Sequence, residues 1–195
     1  LVYMKDEWSF EILGTTQDDA IGEAGDKVGR VLGLPYPGGV YVDKIAKDGK
    51  PIYSLAKPKT ENELDFSFSG LKSSVLQFID RCKRKNETFR PEDLAASYQE
   101  TAFETLLSRA KIAIEKYNPK QMVLAGGVAA NSCLRSKITD GLAKEYSDVE
   151  FIIPPLSCCT DNAAMIGVAA YYEYLSGTRH GWDLNAVPNL KLGER

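Results

Sequence analysis

Apolar and polar residues recur with two different periods along this chain, and these periods predict where strands and helices fall. Residues 1–5 and 10–15 alternate, which predicts two short strands joined by a polar turn. Behind Asp18 and Asp19, apolar residues recur at helical spacing as far as Leu32, so we expect a helix that one of these aspartates caps.

The middle of the chain predicts a short helix, an irregular segment and two longer helices. A Pro-Tyr-Pro-Gly-Gly turn at residues 35–39 leads into the short helix, which carries Asp43. Residues 47–60 are polar and contain proline, which predicts a surface loop or an inserted segment. The elements that follow are a short strand at 66–68 and helices over 71–85 and 91–117.

The second half alternates strands and helices, which predicts a parallel α/β layer. Ligands of such layers bind beyond the carboxyl ends of the strands. The Gly126-Gly127 turn and the loop before Asp161 both lie at that edge. The predicted elements are a strand at 121–125, a helix near 129–144, a strand near 149–153, a loop at 154–159 and a helix at 161–175.

Gly126 and Gly127 end an apolar strand just before a predicted helix. Glycine lets backbone N–H groups approach a phosphate, and a helix N-terminus adds free N–H groups and the positive end of a dipole. Asn131 falls in the first turn of that helix, where its amide would read a ligand. The same pattern is typical of a plain strand-to-helix connection, so both interpretations stay open.

Gly22, Gly25 and Gly29 lie along one stripe of the first predicted helix, and they allow either a ligand or another backbone to come close. Asp26 lies in this stripe, and Asp43 lies in the next helix. Carboxylates accept hydrogen bonds from sugar hydroxyls, as they do in dinucleotide sites. Solvated acids on a helix surface give the same spacing.

The Thr-Asp-Asn tripeptide at residues 160–162 opens the last predicted helix. Threonine and aspartate are common helix caps, and the spacing favours that role. Asp161 would instead bind a metal if its carboxylate pointed into the cleft, but one carboxylate does not identify the ion. A second zinc candidate combines Cys158, Cys159 and His180, the only histidine, although their spacing fits no common zinc module.

Composition places the chain among ordinary globular proteins, since 44% of its 195 residues are hydrophobic and 26% are charged. The four cysteines form no Cys-x-x-Cys pair and indicate a reducing, cytoplasmic setting, and no apolar run approaches the roughly 20 residues of a membrane span. A net charge of −3 gives no overall attraction for nucleic acid. A local basic run is formed by Arg81, Lys83, Arg84 and Lys85. It would bind RNA phosphates or simply complement the dipole at a helix end, and both interpretations stay open.

Five ordered segments together resemble one family. They are residues 18–27, the Tyr-Pro-Gly-Gly turn at 36–39, Phe-Ser-Phe-Ser-Gly-Leu-Lys at 66–72, Gly-Gly-Val-Ala-Ala-Asn at 126–131 and Thr-Asp-Asn-Ala-Ala-Met-Ile at 160–166. The family is TsaD, the tRNA threonylcarbamoyladenosine transferases, formerly called O-sialoglycoprotein endopeptidases or glycoproteases (Gcp). The resemblance covers nearly all of this chain and only the C-terminal part of the usual family protein.

The resemblance implies an α/β fold of the actin-like ATPase (ribonuclease H-like) type, with a nucleotide between two related lobes. It implies transfer of a threonylcarbamoyl group from threonylcarbamoyl-AMP to N6 of adenosine 37, in tRNAs that read codons beginning with A. The nucleotide ligand would be threonylcarbamoyl-AMP or ATP, and the metal one Fe²⁺ or Zn²⁺ per subunit. The residues implied are Asp26, Gly39, Asp43 and Asn131 for the adenylate and Asp161 as catalytic metal ligand. Backbone N–H groups at Gly126 and Gly127 would hold the phosphate of that adenylate.

The same resemblance implies tRNA as the substrate, with a TsaB-like paralogue and a TsaE-like ATPase as protein partners. We expect residues 1–195 to be the C-terminal nucleotide-binding lobe of a two-lobed protein, with the N-terminal lobe absent. The family's paired histidine ligands belong to that other lobe, so this chain alone would lack a complete metal site. Gly25 replaces the family's usual phenylalanine and Gly29 a common alanine, which loosens the helix beside Asp26.

Two other functions stay open: a metal-dependent glycoprotease, as the older family name asserts, and a non-catalytic nucleotide-binding partner subunit. A zinc protease needs three protein ligands and a general base, and this sequence has neither a His-Glu-x-x-His motif nor a second histidine. The intact segments around Asn131 and Asp161 argue against a degenerate subunit.

Overall fold

The chain begins with a short hairpin. In the computed structural model, which describes residues 1–188, 190 and 192, β1 (Val2–Met4) pairs antiparallel with β2 (Phe10–Ile12). The Asp6 carboxylate orders the turn between them by accepting the backbone N–H groups of Trp8 and Ser9, both at 2.8 Å. The predicted strand pair is confirmed, with shorter strands than the sequence pattern indicates.

Two glycine-rich helices, α1 (Ile21–Val31) and α2 (Gly38–Ala46), cross in direct backbone contact. A Cβ atom on Gly29 would lie 2.6 Å from Cα of Gly38, which is closer than real Cβ atoms approach. Gly33 follows α1 with a φ of +75°, the left-handed conformation that ends many helices. The glycine stripe therefore admits another backbone, which was one of its two interpretations.

The main hydrophobic core lies where α1 and α2 pack on two long helices, α3 (Ser69–Lys85) and α4 (Pro91–Tyr117). Proline occupies the first turn of α4, where its missing N–H removes no helix hydrogen bond, and two acidic residues follow it there. The 27 residues of α4 extend over about 40 Å. The most deeply buried apolar residues of this core are Ala24, Val28, Val42, Leu71, Val75, Leu94 and Ala95.

The prediction that Asp18 or Asp19 caps α1 is wrong. The residue before α1 is Ala20, which has no side-chain acceptor. Asp18 instead accepts the backbone N–H groups of Phe68 at 2.7 Å and Ser69 at 3.1 Å, at the start of α3. The cap is therefore supplied to a helix that lies about fifty residues further along the chain.

The segment between α2 and α3 is irregular, and residues 66–68 are not the predicted strand. Phe66 makes an isolated parallel bridge with Thr16, and α3 begins too soon afterwards for a ladder to extend. Residues 47–60 form a surface loop, as predicted. The loop is anchored by Leu55, whose side chain is buried in the main core.

The second half contains a parallel strand pair. β3 (Gln121–Val123) pairs with β4 (Glu150–Ile152), with Met122 opposite Phe151. These two side chains pack inward against α4 and the connecting helical segment. The predicted parallel α/β arrangement is confirmed for this pair.

The single helix predicted near residues 129–144 is wrong. Asn131 has an extended backbone, and its side chain accepts the N–H of Leu134 at 3.0 Å, so it caps a helix where the prediction placed it in the first turn. Gly141 lies in a π-helical stretch further on, and glycine weakens regular helix at such a position. The elements are a 3₁₀ turn at Gly127–Ala130, α5 (Ser132–Ser136), the π-helical stretch Lys137–Leu142 and α6 (Ala143–Glu145).

The last helix, α7 (Ala163–Leu175), has an apolar sequence and an exposed surface. Asn162 caps it by accepting the N–H of Met165 at 2.9 Å. Within the described residues, no helix combines the length and hydropathy that a membrane crossing requires. The large side chains that α7 exposes are Met165, Ile166, Val168, Tyr171, Tyr172, Tyr174 and Leu175.

Candidate functional site

Asp26 holds the start of α2. Its Oδ1 accepts the backbone N–H of Gly39 at 2.8 Å. The first N–H groups of a helix lack partners inside the helix, so a carboxylate there satisfies a donor and complements the helix dipole. Asp26 is half-buried, and its Oδ2 has no hydrogen-bond partner within the described part of the chain. Asp26 is therefore not a plain solvated acid, and it keeps one oxygen for a ligand.

Asp43 joins three helices. Its Oδ1 accepts from Nε2 of Gln99 at 3.2 Å and from the hydroxyl of Ser132 at 3.0 Å, and its Oδ2 accepts the backbone N–H of Ser132 at 3.1 Å. Gly39 and Asp43 are four residues apart on α2, so roughly 6 Å, or one helical turn, separates them. The structure therefore brings Asp26, Gly39 and Asp43 to one side of α2.

Asn131 reaches the same neighbourhood because it directly precedes Ser132, which Asp43 binds. Gly126 has a φ of +90°, so the chain turns sharply after β3. A Cβ atom on Gly126 or Gly127 would meet no described atom within 4 Å, and both residues are exposed. The turn that they open contacts α1. Six of the seven predicted site residues are thus placed in one region, with an accessible backbone turn beside the two aspartates.

A pocket of about 330 Å³ opens beside Asp43, between α2, α4 and α5. This volume is at the lower end of the range for small-molecule sites. The pocket combines apolar walls with a few polar groups that converge on it, which is the usual composition of such a site. Its walls include Asp43, Ala46, Ala96, Gln99, Ser132 and Cys133.

The pocket contains a thiol, Cys133, that stays protonated. Burial raises the pKa of the Cys133 thiol; Lys137 opposes this effect, and the Glu100 and Asp43 carboxylates add to it. Because the thiolate is the nucleophilic form, Cys133 is a poor nucleophile near pH 7. Lys137 and Glu100 form an ion pair at 2.8 Å on the same side.

Asp161 stands apart from the aspartates of the pocket. Its side chain is exposed and makes no hydrogen bond or ion pair with any residue that the structure describes. The capping role that the sequence favoured for Thr160 or Asp161 belongs to Asn162. Asp161 therefore has no structural partner among the described residues, and its role as a metal ligand stays a prediction.

The described residues do not form a metal centre. Among them, no group of three or more histidine, cysteine, aspartate or glutamate side chains is placed to hold an ion. Cys159 is buried while Cys158 is exposed, and His180 lies 3.3 Å from Glu173. The zinc candidate that combines these cysteines with His180 is therefore not formed, and Asp161 belongs to no such group of three or more among the described residues.

The basic run lies in the last turn of α3, as predicted. The Arg81 guanidinium stacks on the Phe78 ring at 5.1 Å, and Lys85 approaches Glu87 at 3.9 Å. Cations at this end complement the helix dipole. A role of this run in RNA binding stays a prediction.

Sequence reasoning missed Gln99 and Ser132, the two residues that hold Asp43. Ser132 had a local signal, because serine is common at helix starts and it follows Asn131. Gln99 had no local signal, because Ser97, Glu100 and Thr101 beside it are polar as well; only the structure shows that it is 4% exposed. Tyr98, its neighbour, is equally buried, and its hydroxyl has no hydrogen-bond partner among the described residues.

Comparison with known proteins decides the family. The model of the TsaD family, described as tRNA N6-adenosine threonylcarbamoyltransferase, matches residues 1–168. The chain belongs to the TsaD family. The matched residues include every candidate site residue of this TsaD chain, from Asp26 to Asp161.

Curated TsaD relatives extend the similarity over almost the whole chain. A protein named tRNA N6-adenosine threonylcarbamoyltransferase from Bacillus cereus is 49% identical over 193 residues, which are 98% of this chain and 56% of that protein. Proteins of the same name from Bacillus anthracis and Clostridium botulinum are 50% and 48% identical, over 98% and 100% of this chain and 56% and 57% of their own lengths. The chain spans somewhat more than half the length of these TsaD relatives.

Proposed function

We propose that this chain is the nucleotide-binding part of a tRNA N6-adenosine threonylcarbamoyltransferase and holds the adenylate of threonylcarbamoyl-AMP. The observation that carries the proposal is the pocket beside Asp43, in a chain that belongs to the TsaD family. Asp43 lines that pocket, Asn131 directly precedes the wall residue Ser132, and the Gly39 N–H held by Asp26 lies about one helical turn from Asp43. Their chemistry suits a nucleoside.

Each part of an adenylate has a counterpart in this region. The free Oδ2 of Asp26 and the carboxylate of Asp43 accept hydrogen bonds from ribose hydroxyls. The pocket between α2, α4 and α5 takes the base. Backbone N–H groups at Gly126 and Gly127 face the phosphate, in the exposed turn after β3.

The proposed reaction needs no covalent bond to the protein. The N6 amine of adenosine 37 attacks the carbamoyl carbon, a C–N bond forms, and the C–O bond to the phosphate breaks. AMP leaves with the electron pair, and the amine proton passes to water. The neutral thiol of Cys133 agrees with this scheme, because no side chain has to act as a nucleophile. The residues described above contribute by binding and orienting the adenylate.

We propose Asp161 as one ligand of an Fe²⁺ or Zn²⁺ ion. Its exposed, unpartnered carboxylate supports this role. Because no group of three or more candidate ligand side chains is assembled among the described residues, we propose that ligands outside them complete the site. The metal therefore enters no step of the scheme above.

We also propose that the chain is the C-terminal lobe of a two-lobed protein with the actin-like ATPase (ribonuclease H-like) fold. The exposed apolar helix α7 supports it, as do the exposed side chains of Val123 and Ile152 on the outer face of the strand pair. These surfaces would be covered by the remainder of a family-length protein. The free thiols of all four cysteines suit a cytoplasmic location, where we expect tRNA and the TsaB-like and TsaE-like partners.

The relatives' names favour the transferase over the alternatives. The proteins cited above are named as transferases, and none of them as a glycoprotease. The described residues also lack the cluster of ligands that a metalloprotease needs.

The test measures nucleotide binding and tRNA modification by the full-length gene product that contains this chain. Calorimetry with ATP and with GTP should show binding that prefers ATP and that Asp26→Ala weakens at least tenfold. Incubation with threonylcarbamoyl-AMP and unmodified tRNA should give threonylcarbamoyladenosine on mass spectrometry of the digested tRNA. Asp148→Ala, at an exposed aspartate away from the pocket, is the matched control. A wild-type protein that neither binds ATP nor modifies tRNA would contradict the proposal.

A further inference from the structure

Gln99 is a buried amide at the wall of the pocket. It lies on α4, is 4% exposed, and donates from Nε2 to Oδ1 of Asp43 at 3.2 Å. Ser132 binds the same carboxylate from the opposite helix. Gln99 thus has one end fixed against Asp43 while its side chain lines the space in which we place the base.

The orientation of the Gln99 amide follows from its partner. An ionised carboxylate only accepts hydrogen bonds, so the amide group that faces Asp43 is the NH₂ and the carbonyl Oε1 points away from it. In the part of the chain that is described, Oε1 has no hydrogen-bond partner. It is not among the fully enclosed polar atoms, so it retains access to the pocket that Gln99 lines.

The unpartnered Oε1 carbonyl of the buried Gln99 side chain would be satisfied by a hydrogen-bond donor on the ligand. Asp43 already takes three hydrogen bonds and Glu100 pairs with Lys137, whereas Oε1 of Gln99 has no hydrogen-bond partner among the described residues. Adenine carries an exocyclic amino group, which is a donor. Guanine and hypoxanthine carry a carbonyl at the same ring position, and a carbonyl facing Oε1 leaves two acceptors opposed.

We propose that Oε1 of Gln99 accepts a hydrogen bond from the exocyclic amine of the bound adenine and so selects adenine over 6-oxopurines. The inference rests on the proposed nucleoside site and adds the residue that reads the base. Sites built to hydrogen-bond one group reject analogues that lack it, because the site's buried polar atom is then left unpaired.

The test compares three nucleotides by calorimetry on the full-length gene product: ATP, ITP and the triphosphate of purine riboside, which has only hydrogen at position 6. Wild-type protein should bind ATP roughly 10-fold more tightly than ITP and several-fold more tightly than the purine analogue. Gln99→Met keeps the length of the side chain and removes its carbonyl. It should bring ATP and ITP within about threefold of each other.

Ser132→Ala is the matched control, because it removes a hydrogen bond to Asp43 without changing the group that faces the base. It should weaken the binding of ATP and of ITP equally, so the ratio of the two affinities stays at the wild-type value.

If Gln99→Met also weakens the binding of both nucleotides equally, Gln99 only positions Asp43 and the inference is overturned. If Gln99→Met fails to fold, the wild-type series decides alone, and equal affinity for ATP and ITP overturns the inference while leaving the nucleoside site intact. A wild-type protein that binds none of the three overturns the proposed function as well.

Discussion

The Asp43 carboxylate accepts both the backbone N–H and the hydroxyl of Ser132, which lies 89 residues further along the chain. This contact fixes the start of α5 against the middle of α2. It also brings Asn131 close to Asp43, because Asn131 is the residue just before Ser132. The Asp43 side chain therefore connects the two halves of the chain at the place where the candidate binding residues lie close together.

Removing the Asp18 carboxylate should destabilise the fold. Asp18→Ala leaves the N–H groups of Phe68 and Ser69 without their acceptor, and we expect a loss of about 1 kcal/mol in the free energy of unfolding. Urea denaturation measures the change. Asp148→Ala, at an exposed aspartate, is the control and should be neutral, so equal stability of the two variants would contradict the role of Asp18.

The Asp18 contact should also make stability depend on pH. Burial works against ionisation, but hydrogen bonds from Ser67, Phe68 and Ser69 outweigh it, and the pKa of Asp18 is lowered in the native state. A lowered native pKa means that the contribution is complete above the unfolded pKa of about 3.9. The contribution declines as the pH falls below that value, and it is lost once the pH has passed the native pKa. Unfolding curves of wild type and Asp18→Asn should therefore converge in acid, and a constant gap down to pH 2 would argue against this linkage.

Tyr98→Phe should stabilise the protein. The Tyr98 hydroxyl is buried without a partner among the described residues, and burial followed by the nearby Asp26 and Asp19 charges raises the pKa of Tyr98 well above its usual range. Removing an unpaired buried hydroxyl should add about 1 kcal/mol. Tyr146→Phe is the control, since that hydroxyl bonds Glu115 at 2.7 Å, and it should bring no gain. Thermal denaturation compares the two, and a loss of stability in Tyr98→Phe would show that the hydroxyl has a partner in solution.

Gly29→Ala should be strongly destabilising. The new methyl group would meet Cα of Gly38 at 2.6 Å and force α1 and α2 apart, at a cost of about 2–3 kcal/mol. Gly25→Ala is the matched control within the same helix, because its Cβ would lie 3.5 Å from the nearest atom outside that helix, Cα of Gly39. Denaturant titration should rank the stabilities as wild type, Gly25→Ala and then Gly29→Ala, and the reverse order of the two variants would disprove the backbone contact.

Asp161→Ala should lower the metal content of the full-length gene product while leaving its fold unchanged. The reason is that Asp161 is exposed and has no structural contact among the described residues. Elemental analysis of iron and zinc, together with a melting curve, measures both effects. Asp148→Ala should keep its metal, and unchanged metal in Asp161→Ala would remove Asp161 from the proposed ligands.

The sequence pattern predicted correctly those helices and strands whose boundaries are determined by residues within the element itself. The fourth helix was predicted at 91–117 because its proline, its acidic first turn and its apolar spacing all lie within the segment itself, and the structure has it at Pro91–Tyr117. The helix predicted near 129–144 is wrong because Asn131 caps a new helix that begins at Ser132, and because Gly141 lies in a π-helical stretch that interrupts the regular helix. Asparagine and glycine at these two positions are compatible with a continuous helix, so the sequence alone does not show that the helix is interrupted there.

The same distinction applies to the site. Asp26, Asp43 and Asn131 came from motifs that could be read along the sequence. Gln99 did not, because its role depends on α4 passing within hydrogen-bond distance of α2, and no local pattern records that approach. Asp18 was assigned to the wrong helix for a related reason, since a carboxylate near a helix start is the usual local cap.

The three helix starts bound by Asp18, Asp26 and Asp43 have a consequence for how the chain folds. The aspartates that accept from these backbone N–H groups lie 13 to 89 residues away in sequence, so the hydrogen bonds form only after distant segments of the chain have come into contact. Such contacts raise the mean sequence separation of native pairs, which slows folding. The first turns of α2, α3 and α5 should therefore form late and together, and the assembly of the pocket beside Asp43 should coincide with the final cooperative step of folding.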